Sequence, residues 1–273
     1  MISYAQNFED VMLERVFKQQ TMGFYIDIGV WDATLDSVTK HFYDKGWSGI
    51  NVEPLSDNFQ RIATARPRDI NLNLAASNHP GPLVFHHVRD TGLSTSRAEY
   101  AGRHAEIGLD VAEITVQTKT LKDICSEHAA NTVIDFLKID VEGAEADVIN
   151  SGDWDAFRPR IVVVEATLPN SPIESFSDWE PVLLEHGYIF AYFDGLNRFY
   201  YREEEPKLRI FFRVPPNVFD DFVLYRTFAA EQNVNRLERQ LRHAMHQVNE
   251  FNELRQTILG KIMLQLLRFT KPS

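Results

Sequence analysis

Acidic side chains stand where two neighbouring strand-like runs of the sequence end. Asp27 and Gly29 close the first run, Asp32 follows, and Glu53 closes the next. In a parallel α/β sheet, ligands bind beyond the carboxyl ends of the strands. Gly29 has no Cβ, so a cofactor can approach the backbone there. Glu53 follows at close to the spacing of about 20 residues at which a carboxylate accepts hydrogen bonds from ribose hydroxyls. These residues predict a nucleoside-binding site.

The loop after Gly29 disfavours a pyrophosphate-containing cofactor such as NAD. A dinucleotide site requires the pattern G-x-G-x-x-G, so that backbone amides cradle the phosphates. Residues 29–34 contain one glycine and the bulky Trp31. Asp27 and Asp32 would also repel phosphate. S-adenosylmethionine (SAM) has no pyrophosphate and is compatible with this loop, so SAM is the favoured cofactor and NAD the minor alternative.

A second group of acids follows two later apolar runs. Asp140 ends one run, Glu142 stands two residues beyond it, and Glu165 ends the next run and points to the same crevice. Carboxylates this close repel each other unless something uses them. Three uses remain open: binding the SAM ammonium group, acting as general base for a hydroxyl, or holding a divalent metal. Glu145 lies in the first turn of the following helix, where negative charge is favoured in any case.

A polar excursion between the two groups of acids contains further candidates. Ser94, Thr95 and His104 fall in this excursion. The pKa of a histidine suits a general base at neutral pH, so His104 is a candidate base. The competing interpretation is a structural histidine on a helix.

Another polar stretch comes late in the sequence. Asp194, Asn197 and Arg198 precede two tyrosines, a combination that suits a carbohydrate acceptor. The hydroxyls of a sugar need polar partners, and its apolar face suits aromatic rings. A simple hairpin turn explains these residues equally well, because Asp-Gly and Asn favour turns.

Three stretches of the sequence resemble the FkbM family of SAM-dependent methyltransferases. They are Ser3-Tyr-Ala-Gln-Asn-Phe-Glu-Asp10, Tyr25-Ile-Asp-Ile-Gly29 continuing to Glu53-Pro54, and Leu137-Lys-Ile-Asp-Val-Glu-Gly-Ala-Glu145, with further matches at residues 92–95, 164–169 and 192–200. The resemblance covers roughly residues 2–222. It implies a class I methyltransferase fold, SAM as methyl donor, and usually O-methylation of a sugar or polyketide hydroxyl.

The resemblance also implies roles for individual residues. Carried over by position, Asp27 and Gly29 line SAM, Glu53 binds its ribose, and Asp140 contacts its methionine end or the acceptor. The glycine-rich first loop of methyltransferases at large is reduced here to Gly29.

Helix and strand patterns alternate as in a doubly wound, Rossmann-like α/β sheet. A β-hairpin and helix form an inserted flap, and an edge hairpin turns at Asp194 and Gly195. The pattern also predicts a helix over residues 34–43, begun by Asp32 or Thr34. The predicted strands are residues 24–28, 49–53, 70–74, 83–88, 113–118, 133–140, 160–165, 188–193 and 198–201.

The sequence divides into a methyltransferase domain over residues 1–222 and a long helix over residues 223–273. Heptad spacing predicts a coiled coil and a homo-oligomer, against the alternative of a helix packed on its own domain. The basic, apolar segment 261–271 is a candidate for contact with a membrane surface or a partner. The heptad residues are Val234, Leu237, Leu241, Ala244, Val248, Phe251, Ile258 and Ile262.

Composition restricts the partners and the compartment. The net charge of −11 disfavours a nucleic-acid partner, because phosphate neutralisation supplies much of that affinity. Cys125 is the single cysteine, so no intrachain disulfide forms. No apolar run approaches the roughly 18 residues of a membrane span, and no secretory signal is recognised. These features predict a cytoplasmic protein.

We therefore expect a SAM-dependent O-methyltransferase that acts on a sugar hydroxyl in polysaccharide or glycoside biosynthesis. Asp140, Glu142 or His104 would take the hydroxyl proton, or a metal held by the acids would lower the pKa of the hydroxyl. The alternative is an interaction module, in which a Rossmann-like body assembles through the C-terminal coiled coil.

Overall fold

The computed structural model describes residues 1–269. It divides into a body, Met1–Phe222, and a C-terminal unit that begins at Val223. The body also contains 3-10 helices at Pro206–Phe212 and Val218–Asp220. Its strands and helices, in chain order, are β1 (Ile2–Ser3), α1 (Glu9–Phe17), β2 (Phe24–Ile28), α2 (Lys40–Asp44), β3 (Ser48–Val52), α3 (Ser56–Ala65), β4 (Ile70–Leu72), β5 (Ala75–Ala76), β6 (Gly81–Val88), α4 (Ala98–Glu106), β7 (Val111–Lys119), α5 (Leu121–His128), β8 (Phe136–Ile139), α6 (Glu145–Asn150), β9 (Ile161–Glu165), α7 (Glu180–Glu185), β10 (Tyr188–Phe193) and β11 (Asn197–Arg202).

The centre of the body is a seven-stranded sheet in the order β10-β11-β9-β8-β2-β3-β4. β8, β2, β3, β4 and β9 are parallel, and β11 runs antiparallel to both β9 and β10. The chain runs outward from β2 to β4, then returns to place β8 on the other side of β2. Strand order therefore switches between β2 and β8, which is where such sheets open a crevice at their carboxyl ends. The predicted doubly wound sheet is confirmed.

Both faces of this sheet are buried, which explains its nearly continuous apolar strands. Alternate residues of β9 join different halves of the core, since strand side chains alternate between faces. Val162 and Val164 pack with Val148 of α6, whereas Ile161 and Val163 pack with Phe17 of α1. The sheet is thus fixed from both sides, and the ends of its strands have defined positions.

The flap is a second, three-stranded sheet in the order β5-β7-β6. β6 and β7 pair antiparallel from Gly81 opposite Thr118 to Val88 opposite Val111, with α4 between them in the chain. The predicted hairpin and helix are confirmed, and the strands extend slightly beyond the predicted bounds. The loop that follows β6 approaches the carboxyl end of the main sheet.

The prediction of a helix over residues 34–43 is wrong for its first half, since only α2 is helical. Asp32 Oδ1 accepts hydrogen bonds from the Thr34 and Leu35 amides and forms a turn there. The buried Arg66 guanidinium donates to the Ala33 carbonyl oxygen through Nε and Nη2, at 3.1 and 2.6 Å. A guanidinium from another part of the chain therefore holds residues 30–39 as an ordered loop.

The C-terminal unit contains a short strand, β12 (Val223–Leu224), and two helices, α8 (Tyr225–Gln256) and α9 (Ile258–Phe269). One long helix is predicted over residues 223–273, but the helix breaks at Thr257, whose ψ is 157°. Its hydroxyl donates to the Leu254 carbonyl oxygen and accepts from the Gly260 amide. These bonds end one helix and begin the next, so the uninterrupted stripe stops at Phe251.

No helix within residues 1–269 combines the length and apolar character that crossing a membrane requires. The predicted basic segment 261–271 ends outside the described residues, since residues 270 and 271 are not covered. Its described part belongs to α9.

Candidate functional site

A cavity of about 220 Å³ lies at the switch point of the main sheet, beyond the carboxyl ends of β2, β3 and β8. The loops after these strands form one side, and the flap forms the other. The residues that line it include Gln6, Gly29, Trp31, Glu53, Leu55, Leu83, Phe85, Gly92, Ser94, Lys138, Asp140 and Glu142.

Gly29 allows two strand ends to meet beneath this cavity. Its φ is +85°, and a Cβ at this position would lie 1.8 Å from the carbonyl oxygen of Asp140. A side chain is therefore excluded both by the backbone conformation and by space. The Gly29 carbonyl oxygen accepts a hydrogen bond from Lys138 Nζ at 2.9 Å. The glycine thus brings the ends of β2 and β8 together and leaves backbone exposed to the cavity.

Glu53 lies at the end of β3 with most of its hydrogen-bonding capacity in use. Oε2 accepts from the Trp31 amide at 3.0 Å, and Oε1 accepts from the Leu55 amide at 2.9 Å. Burial raises the pKa of Glu53, although these backbone bonds oppose the rise. A carboxylate has about four acceptor positions, so Oε2 retains capacity for one further donor from the cavity.

Asp140, Glu142 and Glu165 form a tight acid cluster, with one carboxylate oxygen of each within 4.8 Å of the others. Asp140 and Glu142 line the cavity, and Glu165 is buried at the end of β9. Burial, followed by repulsion from Asp140, raises the pKa of both glutamates well above the usual range. The sequence prediction that these three side chains share one crevice agrees with this geometry.

Lys138 is the cation beside the cluster. Its Nζ lies 3.3 Å from Asp140 Oδ2 and 3.6 Å from Asp27 Oδ1. Burial alone would lower the pKa of Lys138, but the two aspartates raise it above the usual value, so the ammonium group stays charged. Asp27 lies below the cavity wall, and its Oδ2 accepts from the Thr39 hydroxyl. The structure places Asp27 where it orients Lys138.

Glu145 stabilises the turn that carries the cluster. Its Oε1 accepts from the Val141 and Gly143 amides, both at 3.1 Å. Burial raises the pKa of Glu145 to about 7. The Glu142 backbone has a φ of 55°, and its carbonyl oxygen accepts from Thr95 Oγ1 at 2.7 Å. The flap is thereby joined to the turn.

The remaining flap candidates separate in the structure. Ser94 lines the cavity, and its Oγ accepts from the Val88 amide. Thr95 is fully buried below the wall. His104 lies in α4, outside the wall, and burial lowers its pKa. Its Nδ1 has no hydrogen-bond partner within residues 1–269. Asp32 is not among the residues that line the cavity, and its carboxylate stabilises the turn at Thr34 and Leu35.

Asp194, Asn197 and Arg198 also lie outside the cavity wall. Asp194 Oδ1 accepts from the backbone amides of Leu196 and Asn197. These bonds are typical of a turn, which was the alternative interpretation of this stretch. Asn197 Nδ2 donates to the buried Glu9 at 2.7 Å. Arg198 Nη2 donates to Glu180 at 2.8 Å, and Arg198 stacks on Phe176 and Phe190. The polar groups that the sequence predicted to bind an acceptor therefore form hydrogen bonds within the protein.

Sequence reasoning missed the roles of Lys138 and of the apolar wall. Lys138 is a charged residue inside an otherwise apolar strand, and it lies opposite Asp27 in the parallel register. Its charge in such a strand is the feature of the sequence that could have indicated a functional role. Leu83 and Phe85 enter the wall from β6. The sequence shows that Leu83 and Phe85 lie on the same face of a strand. Whether that face covers the cavity depends on how the flap packs, which the sequence does not show.

The sequence profile of the FkbM methyltransferase domain matches residues 24–190. The chain belongs to the FkbM methyltransferase family. The match begins at β2 and includes Gly29, Glu53 and the whole acid cluster. The strand order, with one reversed strand beside the edge, is the class I methyltransferase arrangement that the resemblance implied. SAM is the methyl donor that this fold implies.

Several solved structures are similar to this FkbM chain at low identity. Fibrillarin, a pre-rRNA processing protein of Methanococcus jannaschii, matches with TM-score 0.38 and 11% identity over 67% of each chain. A TehB-like SAM-dependent methyltransferase from Corynebacterium glutamicum matches with TM-score 0.38 and 7% identity over 70% of this chain and 87% of the other. A fibrillarin/Nop5p complex matches with TM-score 0.36 and 11% identity over 70% of this chain and 80% of the other. Among proteins of curated function, none matches the sequence.

The cavity of the FkbM domain fits SAM by the chemistry of its wall. Glu53 retains one acceptor position for a ribose hydroxyl, and Leu55 and Phe85 offer apolar surface suited to an adenine ring. Asp140, which also lines the cavity, has a carboxylate of the charge that an ammonium group requires. Gly29 leaves backbone accessible between these groups.

Proposed function

We propose that the protein is a SAM-dependent O-methyltransferase that methylates a sugar hydroxyl in polysaccharide or glycoside biosynthesis. The acid cluster in the cavity wall carries the proposal, because O-methylation requires a group that takes the hydroxyl proton. The choice of a sugar rests on the family resemblance. We place the reaction in the cytoplasm, since the single cysteine, Cys125, requires no oxidising compartment.

The cofactor supplies an electrophilic methyl group, and the protein must hold it in line with the acceptor oxygen. Glu53 binds the nucleoside end, and the apolar wall formed by Leu55 and by Leu83 and Phe85 of β6 excludes water around it. Lys138 holds Asp140 in a fixed position at 3.3 Å. These contacts orient the donor before the acceptor binds.

Proton removal belongs to the acid cluster. Glu142 lines the cavity and its pKa is raised by burial and by Asp140, so its carboxylate accepts a proton more readily than an exposed glutamate. The hydroxyl proton passes to this carboxylate as the new bond to oxygen forms. Ser94 lines the wall, where it can contact the acceptor, and Thr95 holds the turn through its hydrogen bond to the Glu142 carbonyl oxygen.

Calorimetry on the full chain tests the cofactor assignment. We expect SAM and its demethylated product to bind at one site per chain. Glu53→Gln should weaken both, because one oxygen that accepts a backbone amide bond becomes a donor. Glu127→Gln, on the exposed face of α5, is the matched control. Absence of binding by both SAM and its demethylated product would refute the proposal.

A second candidate function is assembly through α8. The stripe residues Val234, Leu237, Leu241, Val248 and Phe251 are each more than half exposed. An uncovered apolar stripe with heptad spacing is typical of a coiled coil. We propose that two or more copies associate through this stripe, and that the body remains a methyltransferase within the assembly.

A further inference from the structure

The acid cluster has the dimensions of a cation site. One oxygen each from Asp140, Glu142 and Glu165 lies within 4.8 Å of the other two. Oxygen ligands of calcium lie about 2.3–2.6 Å from the ion, so ligands on opposite sides are about 4.6–5.2 Å apart. Smaller cations need a modest contraction of the same set. The three oxygens therefore surround a point that a single ion can occupy.

Two oxygens of the cluster lack partners. Glu165 is 7% exposed, and its Oε2 is buried with no hydrogen-bond partner among residues 1–269. Glu142 Oε2 is also buried and has no hydrogen-bond partner among residues 1–269. Buried polar atoms in native proteins nearly always have a partner, because leaving a carboxylate oxygen unpaired is costly. The unpaired oxygen of Glu165 points to a ligand that binds to it in the working protein.

Charge defines the class of that ligand. Three carboxylates bring three negative charges, and the Lys138 ammonium beside Asp140 offsets one of them. Lys138 is also held by the Gly29 carbonyl oxygen and by Asp27, which fixes it at one edge of the cluster. Because Lys138 is shared with Asp27, the three acids keep excess negative charge when they are ionised, and a divalent cation offsets it. An all-oxygen set without histidine or cysteine favours magnesium, manganese or calcium over zinc.

The backbone at Glu142 is constrained in a way that suits a ligand. A φ of 55° is unusual for a residue with a side chain, and such residues are concentrated at functional sites. Thr95 Oγ1 donates to the Glu142 carbonyl oxygen, and Arg97 Nε donates to the Gly143 carbonyl oxygen at 3.2 Å. The flap thereby holds the turn that directs Glu142 toward Asp140.

We propose that Asp140, Glu142 and Glu165 bind one divalent, oxygen-preferring cation at the cavity wall. Asp140 and Glu142 line the cavity, so the remaining coordination positions of the ion face the acceptor. Hydroxyl oxygens of the acceptor bind there, and the nearby positive charge lowers the pKa of the hydroxyl that is methylated. Its proton passes to the oxygen of Glu142 that does not bind the ion. The part that concerns the acceptor rests on the proposed function; binding of the cation does not.

Manganese titration of the full chain tests the site without SAM. Electron paramagnetic resonance of free Mn²⁺ should show one bound ion per chain, displaced by Mg²⁺ or Ca²⁺. Glu165→Gln replaces a charged ligand with a neutral amide oxygen and should weaken Mn²⁺ binding by about tenfold or more. Glu185→Gln, an exposed acid of α7, should bind Mn²⁺ as the wild type does. Equal affinity in Glu165→Gln and the wild type, or no stoichiometric binding, overturns the proposal.

Folding of the variant is checked by circular dichroism. If Glu165→Gln is unfolded, Glu142→Gln removes a ligand that lies nearer the cavity and gives the same test. Mn²⁺ should raise the melting temperature of the wild type and of Glu185→Gln, but not of the ligand variants. Equal rises in all of these proteins would mean that the ion binds elsewhere.

Parallel calorimetry with SAM separates this inference from the proposed function. If SAM binds in the presence of a chelator and Mn²⁺ shows no site, the cation site is refuted and the methyltransferase function stands. If Mn²⁺ binds and neither SAM nor its demethylated product does, the cation site stands and the proposed function is refuted.

Discussion

Asp140 illustrates how much of the site depends on single residues. Its carboxylate lies against Lys138 on one side and forms a cluster with Glu142 and Glu165 on the other. Its carbonyl oxygen occupies the space that a Cβ on Gly29 would need. One residue therefore links the cation, the acids and the close approach of β2 and β8. A change in its charge and a change in its backbone position would have different effects.

Asp140→Asn tests the charge alone, because the shapes of the two side chains match. We expect kcat for methyl transfer to fall by about 10²–10⁴, the range associated with loss of acid–base assistance. Release of demethylated SAM in the presence of the acceptor measures this rate. Asp123→Asn, on the exposed face of α5, should leave it unchanged. Full activity of Asp140→Asn would remove this carboxylate from the reaction.

Glu9 makes stability depend on pH. Burial, and next the nearby Asp194, raises its pKa to about 8 from 4.5. The folded state then binds more protons than the unfolded state between these values, so the free energy of unfolding falls as pH rises from 4.5 to 8. The slope from this one group is at most about 1.4 kcal/mol per pH unit.

Glu9→Gln removes this titration. Urea denaturation at pH 5.5 and pH 7.5 should show a smaller loss of stability in the variant than in the wild type. The variant loses acceptor bonds to Asn7 and Asn197, so its stability at a single pH is not the readout. Parallel pH profiles of the two proteins would show that Glu9 is ionised when folded.

At the scale of elements, local pattern predicted some segments and tertiary contacts decided others. β2 and β10 have the bounds that the sequence pattern predicted, because their apolar residues and flanking glycines agree. The helix expected at residue 34 failed because Arg66 binds the Ala33 carbonyl oxygen, a contact that no local pattern contains.

The same division applies to the site. The strand ends in the sequence pointed to Glu53, Asp140 and Glu142 as candidates, and all three line one cavity. The sequence could not reveal that Glu53 accepts two backbone amide bonds, or that Arg198 turns toward Glu180. Both depend on which groups fold against them.

Arg66 supports the loop between β2 and α2. It donates to the Ala33 carbonyl oxygen and to the hydroxyls of Ser37 and Thr39. Arg66→Ala leaves these acceptors unpaired and should reduce the free energy of unfolding by about 3 kcal/mol or more. SAM affinity should fall as well, since the loop carries the amide that Trp31 donates to Glu53.

Urea denaturation and calorimetry provide the two measurements for Arg66→Ala. Arg61→Ala, which removes a guanidinium from the exposed face of α3, is the control and should change stability by less than about 1 kcal/mol. A wild-type unfolding curve for Arg66→Ala would mean that the loop is held by other contacts.

At the scale of the whole molecule, the open question is the number of chains. Leu241 lies in the α8 stripe and Asn235 lies off it, which gives a matched pair of positions for the same new charge. Leu241→Asp should disrupt association because it places a carboxylate among apolar side chains, whereas Asn235→Asp should not.

Light scattering measures the mass in solution. We expect the wild type and Asn235→Asp at a multiple of 31.5 kDa, and Leu241→Asp at 31.5 kDa. SAM binding by Leu241→Asp should equal that of the wild type. A wild type that remains at 31.5 kDa across concentrations would rule out the coiled coil.

The late arrival of β8 at the centre of the sheet has a consequence for how the chain acquires its structure. The Phe24 amide bonds to Asp135, 111 residues away, and β8 pairs directly with β2. On the ribosome, β2 and β3 emerge long before β8, so the sheet stays open beside β2 until residue 139 is made. Contacts this distant in sequence slow folding. We expect the newly synthesised body to depend on protection from aggregation during that interval, and the cavity to form only in its last steps.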